Sequence, residues 1–420
     1  MKKIGIIGGA RIPFARSNSA YKFSSNKEMM TAAMKALVQK YNLEGKALGL
    51  ASVGAVAKSS HDFSMARECL IDAGLSYDTP ACDIQMACGT SLETANHVGN
   101  QIAMGQIQAG IAGGVDSSSV VPIELKQKLS NRLVQLSRAR NISEKFKLLS
   151  SFKPGELIPN FPAIKEPRTG LSMGEHCELM VQEWNISREE QDQLALKSHQ
   201  NTVAAYESGF YNDLVFPFAN LDKDNNARPD SSLEKLGKLR AAFDKSKGTL
   251  TAGNSSPMTD GASCVLLANE EYASKNNYDI DAFLTHYQSA AVDYKNKEGL
   301  LMAPAYAIPK LLAQAGITLQ DFDFYEIHEA FAGQVLCTLK ALNDKNFCQQ
   351  RLGLDKTLGE IDMSKLNVKG GSVAIGHPFA ATGTRIIASL AKTLKEKGSG
   401  RGLVSICAAG GMGVTAIIER

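Results

Sequence analysis

A chain of 420 residues, 44% hydrophobic and 21% charged, is an ordinary globular protein long enough for two or three domains with large cores. A formal net charge of +3 is small for this length and argues against a nucleic-acid partner. No apolar run reaches the roughly 18 residues of a membrane-spanning helix, so a cytoplasmic location is the simplest reading.

In chain order, "MKKIGIIGGARIPF" runs directly into a strand and turn, and its glycines lack the G-x-G-x-x-G spacing of a dinucleotide site. Strand-like "ACDIQMA" then leads through Cys88 and Gly89 into a helix with apolar Leu92, Ala95, Val98 and Ile102, followed by "QAGIAGGVDS". In the second half "LNVKGGSVAIG" leads to Gly383, a helix with Ile386, Ile387, Leu390, Ala391 and Leu394, and then "RGLVSICAAGG". The matched spacing reads as a duplicated strand-helix-strand unit in an α/β protein. Between the halves, from about Val121 to Phe243, lies a stretch of different character. It holds the helical "SREEQDQLALKSHQNTVAAYESG", where Ser187 and Glu190 have capping-box spacing, and the turn-rich "NLDKDNNARPDSS".

Four places combine a reactive side chain with a predicted strand end: "ACGTS" at Cys88, "IHEAF" at His328, "AIGHPFAATG" at His377 and "SICAAGGMG" at Cys407. Loops at the carboxyl ends of strands are where α/β sites assemble, so the four could converge. Each has a plainer reading: His377 as a turn histidine, the cysteines as small packed hydrophobes. The cysteines form no C-x-x-C pair, and His328-Glu329 fails as a zinc motif because position 332 is Ala332, so no metal is expected. Cys88 is the candidate nucleophile. A helix N-terminus there would stabilise a thiolate and lower the thiol pKa, and a nearby histidine would take the proton.

These motifs, with "RIPF", "MGEHCELM" and "FDKSKGTLTAGNSSPMTDGAS", resemble the thiolases over nearly the whole chain, and most closely the thiolase subunits of fatty-acid oxidation complexes. The resemblance implies the thiolase fold, two similar βαβ-rich halves in a five-layered α-β-α-β-α arrangement with an inserted loop domain. The expected division is 1–120 plus 244–272, an insert at 121–243, and 273–420. It implies Cys88 as acyl acceptor, His377 as its base and Cys407 as the second acid/base. His328 stands where many thiolases have asparagine and is expected to help an oxyanion hole for the enolate. Backbone N–H groups of Cys88 and Ala409 would form the other. Coenzyme A is expected as co-substrate, with no covalently bound cofactor. Met173, Phe243, Ala252, Ser256, Ala330 and Phe331 would contact it or line the thioester tunnel, while Ser172 replaces a common histidine.

The implied reaction is ping-pong thiolytic cleavage of a 3-oxoacyl-CoA, or the reverse Claisen condensation. The competing readings are a ketoacyl synthase-like condensing enzyme, opposed by Cys407 in "CAAGG", and a silent acyl-CoA or lipid-binding protein of the same fold. A homodimer or homotetramer is expected. Residues 123–153 carry eight basic and two acidic side chains, with Leu125, Leu129, Leu133, Leu136 and then Ile142, Phe146, Leu149 at helical spacing. Two amphipathic helices are predicted there, their apolar side bordering the acyl tunnel and their basic side meeting a β-oxidation partner enzyme or an anionic membrane.

Overall fold

The computed structural model describes residues 1–162 and 165–420. The first half contains β1 (Ile4–Arg11), β2 (Ala15–Arg16), α1 (Asn26–Lys40), β3 (Leu50–Gly54), α2 (Met65–Asp72), β4 (Ala81–Asp83), α3 (Thr90–Ala103) and β5 (Ala109–Asp116). A helical stretch follows: α4 (Gln127–Arg138), α5 (Ile142–Ser150), α6 (Met173–Glu183), α7 (Arg188–Glu207) and α8 (Leu233–Gly237), before β6 (Thr259–Ala268) rejoins the first strands. The second half adds α9 (Glu270–Lys275), β7 (Ala282–Ala291), α10 (Ala303–Ala315), β8 (Phe324–Ile327), α11 (Ala332–Asn343) and α12 (Lys345–Gln350). It closes with α13 (Ser372–Ile375), α14 (Thr382–Lys397), β9 (Arg401–Ala408) and β10 (Met412–Glu419).

The strands repeat one plan. In the first half the order is β4-β3-β5-β6-β1, and in the second β8-β9-β10-β7. In both, the long return strand (β6, β10) runs antiparallel to its neighbours, while the inner strand (β5, β9) pairs in parallel with the next one out (β3, β8). The halves join where β1 pairs antiparallel with β7 at Ile4–Ile6, giving one ten-stranded network that includes β2 on β6.

Burial turns this network into layers. Helices α1 and α2 cover the outer face of the first half, with Met29, Met34, Leu37, Met65 and Leu70 buried. Helices α10 and α11 cover the second half. Between the half-sheets lie α3 and α14, whose Leu92, Val98, Ile102, Ile386, Ile387 and Leu394 share one core with Val265, Val404 and Val414. The result is the α-β-α-β-α stack. The helices touch closely where a Cβ on Gly383 would sit 2.3 Å from the Leu92 amide nitrogen.

Two local expectations fail. The strand predicted before His377 is the short helix α13, and the second copy's outer strand shrinks to a single parallel bridge between Leu366 and Tyr325 of β8. The buried Glu329 carboxylate accepts the Val373 N–H at 3.1 Å, so a tertiary partner starts a helical turn there. All four residues of α13 are buried, and periodicity cannot distinguish helix from strand in so short a run. The second failure concerns α4 and α5. Both helices form, yet Leu125, Leu133, Ile142, Phe146 and Leu149 are exposed; Leu129 is buried. Their apolar side therefore faces outward rather than toward the site, because the two short helices pack mainly on each other.

Candidate active site

Cys88 sits on a sharp turn between β4 and α3. Ala87 holds φ at 45°, a left-handed conformation uncommon for a residue with a Cβ, and turn hydrogen bonds support it. The Met86 N–H donates to Thr90 Oγ1 at 2.8 Å, and Thr90 Oγ1 donates to the Ala87 carbonyl at 2.7 Å. This elbow aims the thiol at His377, whose Nε2 is 3.2 Å from Cys88 Sγ. The other ring nitrogen of His377, Nδ1, is 2.6 Å from Thr382 Oγ1 at the start of α14. The His377 backbone N–H donates to Thr259 Oγ1 at 3.2 Å.

His328 leaves the end of β8, and its ring centre is 4.1 Å from that of His377. Donor atoms of Cys88, His328 and His377 lie within 4.8 Å of one another. Cys407 is buried near the end of β9, and the proximity of Cys88 adds to the desolvation that raises its thiol pKa well above the ordinary value. The four side chains from two halves thus converge.

Their electrostatics correct one expectation. Burial pushes the Cys88 thiol up to about 12, opposed by the backbone N–H groups of Ala409 and of Cys88 itself. Helix α3 begins only at Thr90, so the helix terminus does not produce a resting thiolate. Burial, aided by the Arg385 charge, lowers His377 to about 3. The pair rests as neutral thiol and neutral imidazole, poised for the proton to move as the sulfur attacks.

Several residues that hold this geometry carried no local sequence signal. Glu166 accepts the Gly410 N–H at 2.7 Å, fixing the turn that presents the Ala409 N–H toward Cys88. Asp116, at the end of β5, accepts N–H bonds from Val56, Ala57 and Ala380, tying the first half to the turn after His377. Burial raises its carboxyl to about 6 despite those donors. Glu178 on α6 accepts the Thr249 and Leu250 N–H groups and so shapes the loop that leads to Ser256.

Of the six predicted contact residues, Met173, Phe243, Ala330 and Phe331 belong to one apolar cluster with Cys407. Phe243 packs edge-on to Phe331 at 5.7 Å. The Ser256 N–H donates to the Ala330 carbonyl at 3.0 Å, placing Ser256 beside this group. Ala252 is exposed and lines a cleft of about 290 Å³ with Arg16, Arg228, Lys235 and Pro257. Ser172 caps α6 by accepting the Glu175 N–H, so it serves the helix rather than replacing a histidine's function.

A protein that presents a buried thiol to an imidazole, with backbone N–H donors beside the sulfur, is built for acyl transfer through a cysteine. Residues 4–271 match the family model described as thiolase, N-terminal domain, and residues 278–420 match thiolase, C-terminal domain. The chain is 41% identical over 424 residues to a 3-ketoacyl-CoA thiolase of Shewanella baltica, covering all of this chain and 97% of that one. A 3-ketoacyl-CoA thiolase of Shewanella loihica is also 41% identical, covering 99% and 97%. Among solved structures, acetyl-CoA acetyltransferase of Bacillus anthracis superposes with a TM-score of 0.83 at 29% identity, covering 100% and 99%. Human mitochondrial 3-ketoacyl-CoA thiolase in complex with CoA gives 0.82 at 28%, covering 100% and 98%. The chain belongs to the thiolase family. It is an acyltransferase with coenzyme A as co-substrate, working by thiolytic cleavage or the reverse condensation.

Proposed function

We propose that this chain cleaves 3-ketoacyl-CoA thioesters longer than acetoacetyl-CoA, with Cys88 carrying the acyl group. The 3.2 Å contact between Cys88 Sγ and His377 Nε2 carries the reading of the covalent step. His377 Nε2 takes the thiol proton while its Nδ1–H donates to Thr382 Oγ1, and the sulfur attacks C3 of the substrate. The C2–C3 bond then breaks, leaving acyl-Cys88 and the enolate of acetyl-CoA. His328 donates to the enolate oxygen, and Cys407 returns a proton to C2. Cys407, left as a thiolate, takes the proton of the incoming CoA thiol; the CoA sulfur attacks acyl-Cys88 through an intermediate whose oxyanion accepts from the Cys88 and Ala409 N–H groups, and the departing Cys88 sulfur takes back the proton held by His377. Thiolysis rates across short, medium and long 3-ketoacyl-CoA chains test the substrate class. Activity confined to acetoacetyl-CoA would overturn it.

The cations of Arg16, Arg228 and Lys235 around the Ala252 cleft suit the phosphates of the CoA nucleotide, with Ser256 and Phe243 along the pantetheine. Raised KM for CoA in Arg228→Ala, with unchanged acylation of Cys88, is the expected signature. The same reading makes the enzyme a homodimer joined at β4, an open sheet edge whose residues are half-buried in the single chain. Light scattering reports the mass directly.

Residues 123–161 supply the remaining part. Phe146, Ile142, Ile158 and Phe161 are exposed beside an excess of basic side chains, a composition suited to an anionic membrane surface. No helix among the described residues is long and apolar enough to cross a membrane. The proposal is therefore a peripheral attachment of a cytoplasmic enzyme. Co-sedimentation with anionic vesicles at low salt, lost at high salt and in a variant with four of the charges reversed, is expected. Absence of vesicle binding by the native protein overturns this arm, and binding to an acidic partner enzyme in its place would assign the surface to a protein.

A further inference from the structure

Behind the reacting groups, His328 joins a set of buried polar contacts whose other members the reaction steps leave unused. His328 Nδ1 is 2.9 Å from Ser372 Oγ, and the same oxygen is 2.9 Å from an Arg385 terminal nitrogen. Arg385 in turn stands 3.9 Å from the carboxylate of Glu326 on β8, two residues before His328. All four side chains are buried. His328 Nε2 and Arg385 Nε are buried with no hydrogen-bond partner among the described residues.

Proton counting decides what this set does. A guanidinium only donates, so Arg385 occupies a lone pair of Ser372 and cannot receive its hydroxyl proton. The other partner of that hydroxyl is His328 Nδ1. If Nδ1 carried the ring proton, the Ser372 O–H would be stranded in the interior. The arrangement that satisfies Ser372 has its O–H donating to Nδ1. Burial, His377 and Arg385 together lower the pKa of His328 well below the ordinary value, so the ring is neutral and holds one proton. With Nδ1 accepting, that proton is on Nε2.

We propose that Ser372, oriented by Arg385, is a positioning residue that fixes His328 as the Nε2–H tautomer and so keeps a neutral donor available at the Cys88 site. Glu326 pairs with Arg385 at 3.9 Å, so the proton on Nε2 is set by contacts made at the other ring nitrogen, Nδ1. The proposal rests on the reading of His328 as the enolate's donor. It adds that the usefulness of His328 depends on a serine 44 positions away. An imidazole that flipped its proton to Nδ1 would offer the enolate a lone pair and repel it.

The test uses full-length protein labelled with nitrogen-15 in histidine, with the His328 signals assigned by their loss in His328→Ala. Long-range proton–nitrogen correlation is expected to show Nε2–H in the native enzyme and in Ser372→Thr, which keeps the hydroxyl. Ser372→Ala is expected to show Nδ1–H or a mixture. Solvent-deuterium exchange into the acetyl-CoA methyl should fall at least about tenfold in Ser372→Ala, less than the roughly 10²–10³ lost when a whole oxyanion donor is removed. Acylation of Cys88 should stay within about twofold, and Ser372→Thr should restore exchange. An Nδ1–H tautomer in the native enzyme, or an unchanged tautomer in Ser372→Ala, overturns the proposal. A tautomer change with full methyl exchange supports the role of Ser372 in setting the proton and overturns the reading of His328 as enolate donor.

Discussion

The two copies of the strand-helix-strand unit put different chemistry at the same place. In the first, the residue before the helix glycine is Cys88, and its thiol faces the site. In the second, the residue before Gly383 is Thr382, and its hydroxyl holds His377 Nδ1 at 2.6 Å. One helix start thus supplies the nucleophile, while its counterpart orients the base that serves it. The duplication gave two converging helix ends, and divergence at single positions made them complementary rather than redundant.

That contrast is sharpest for the nucleophile. Cys88→Ala should lose thiolysis by about 10⁴-fold or more and show no acyl adduct on peptide mass spectrometry after incubation with acyl-CoA. Cys407→Ala should still become acylated but lose exchange of the acetyl-CoA methyl protons by about 10²–10⁴-fold, separating the two cysteines by step. An adduct on Cys407 in the native enzyme would collapse the distinction.

The helix glycines extend the comparison to stability. A Cβ on Gly383 meets backbone, the Leu92 nitrogen at 2.3 Å, whereas one on Gly89 meets a Val414 methyl at 3.0 Å. Gly383→Ala is expected to cost about 3 kcal/mol in denaturant unfolding, and Gly89→Ala about 1 kcal/mol. Equal costs would mean that the helices are not in direct backbone contact.

The smallest effect expected is that of pH. With Cys88 near 12 and His377 near 3, neither group titrates between pH 5 and 9, so above the titration of Asp116 near 6 acylation by the free enzyme should stay flat to pH 9 within about twofold. Stability behaves differently. His377 is depressed from 6.5, so the unfolded chain binds the extra proton, and the protein should lose stability as pH falls from about 6.5 toward 3. A rate inflection near 6.5 that persists in Asp116→Asn, or one between pH 7 and 9, would contradict the neutral pair.

Much of this was legible in the chain. The buried stripe of α3, Leu92, Ala95, Val98 and Ile102, has helical spacing, and the Ser187 capping box starts α7 as its residues foretell. Cys88, His377 and Cys407 stand out because reactive side chains sit in glycine-rich stretches, and His328 because it follows a strand-like run. Glu166, Asp116 and Ser372 do not stand out, since their work is done across the fold, on Gly410, Ala380 and His328. The thiol's ionisation was also misjudged from sequence. A helix start is local and readable, but the desolvation that outweighs it comes from packing by both halves.

The join between β1 and β7, with α3 and α14 enclosed behind it, bears on cooperativity. Leu92 and Val98 share their core with Ile386, Val404 and Val414, so neither half encloses its own central helix. Separated from the other, each would expose that apolar surface to water. Unfolding should therefore be a single transition that removes both halves together, and the two sides of the active site stand or fall as one thermodynamic unit.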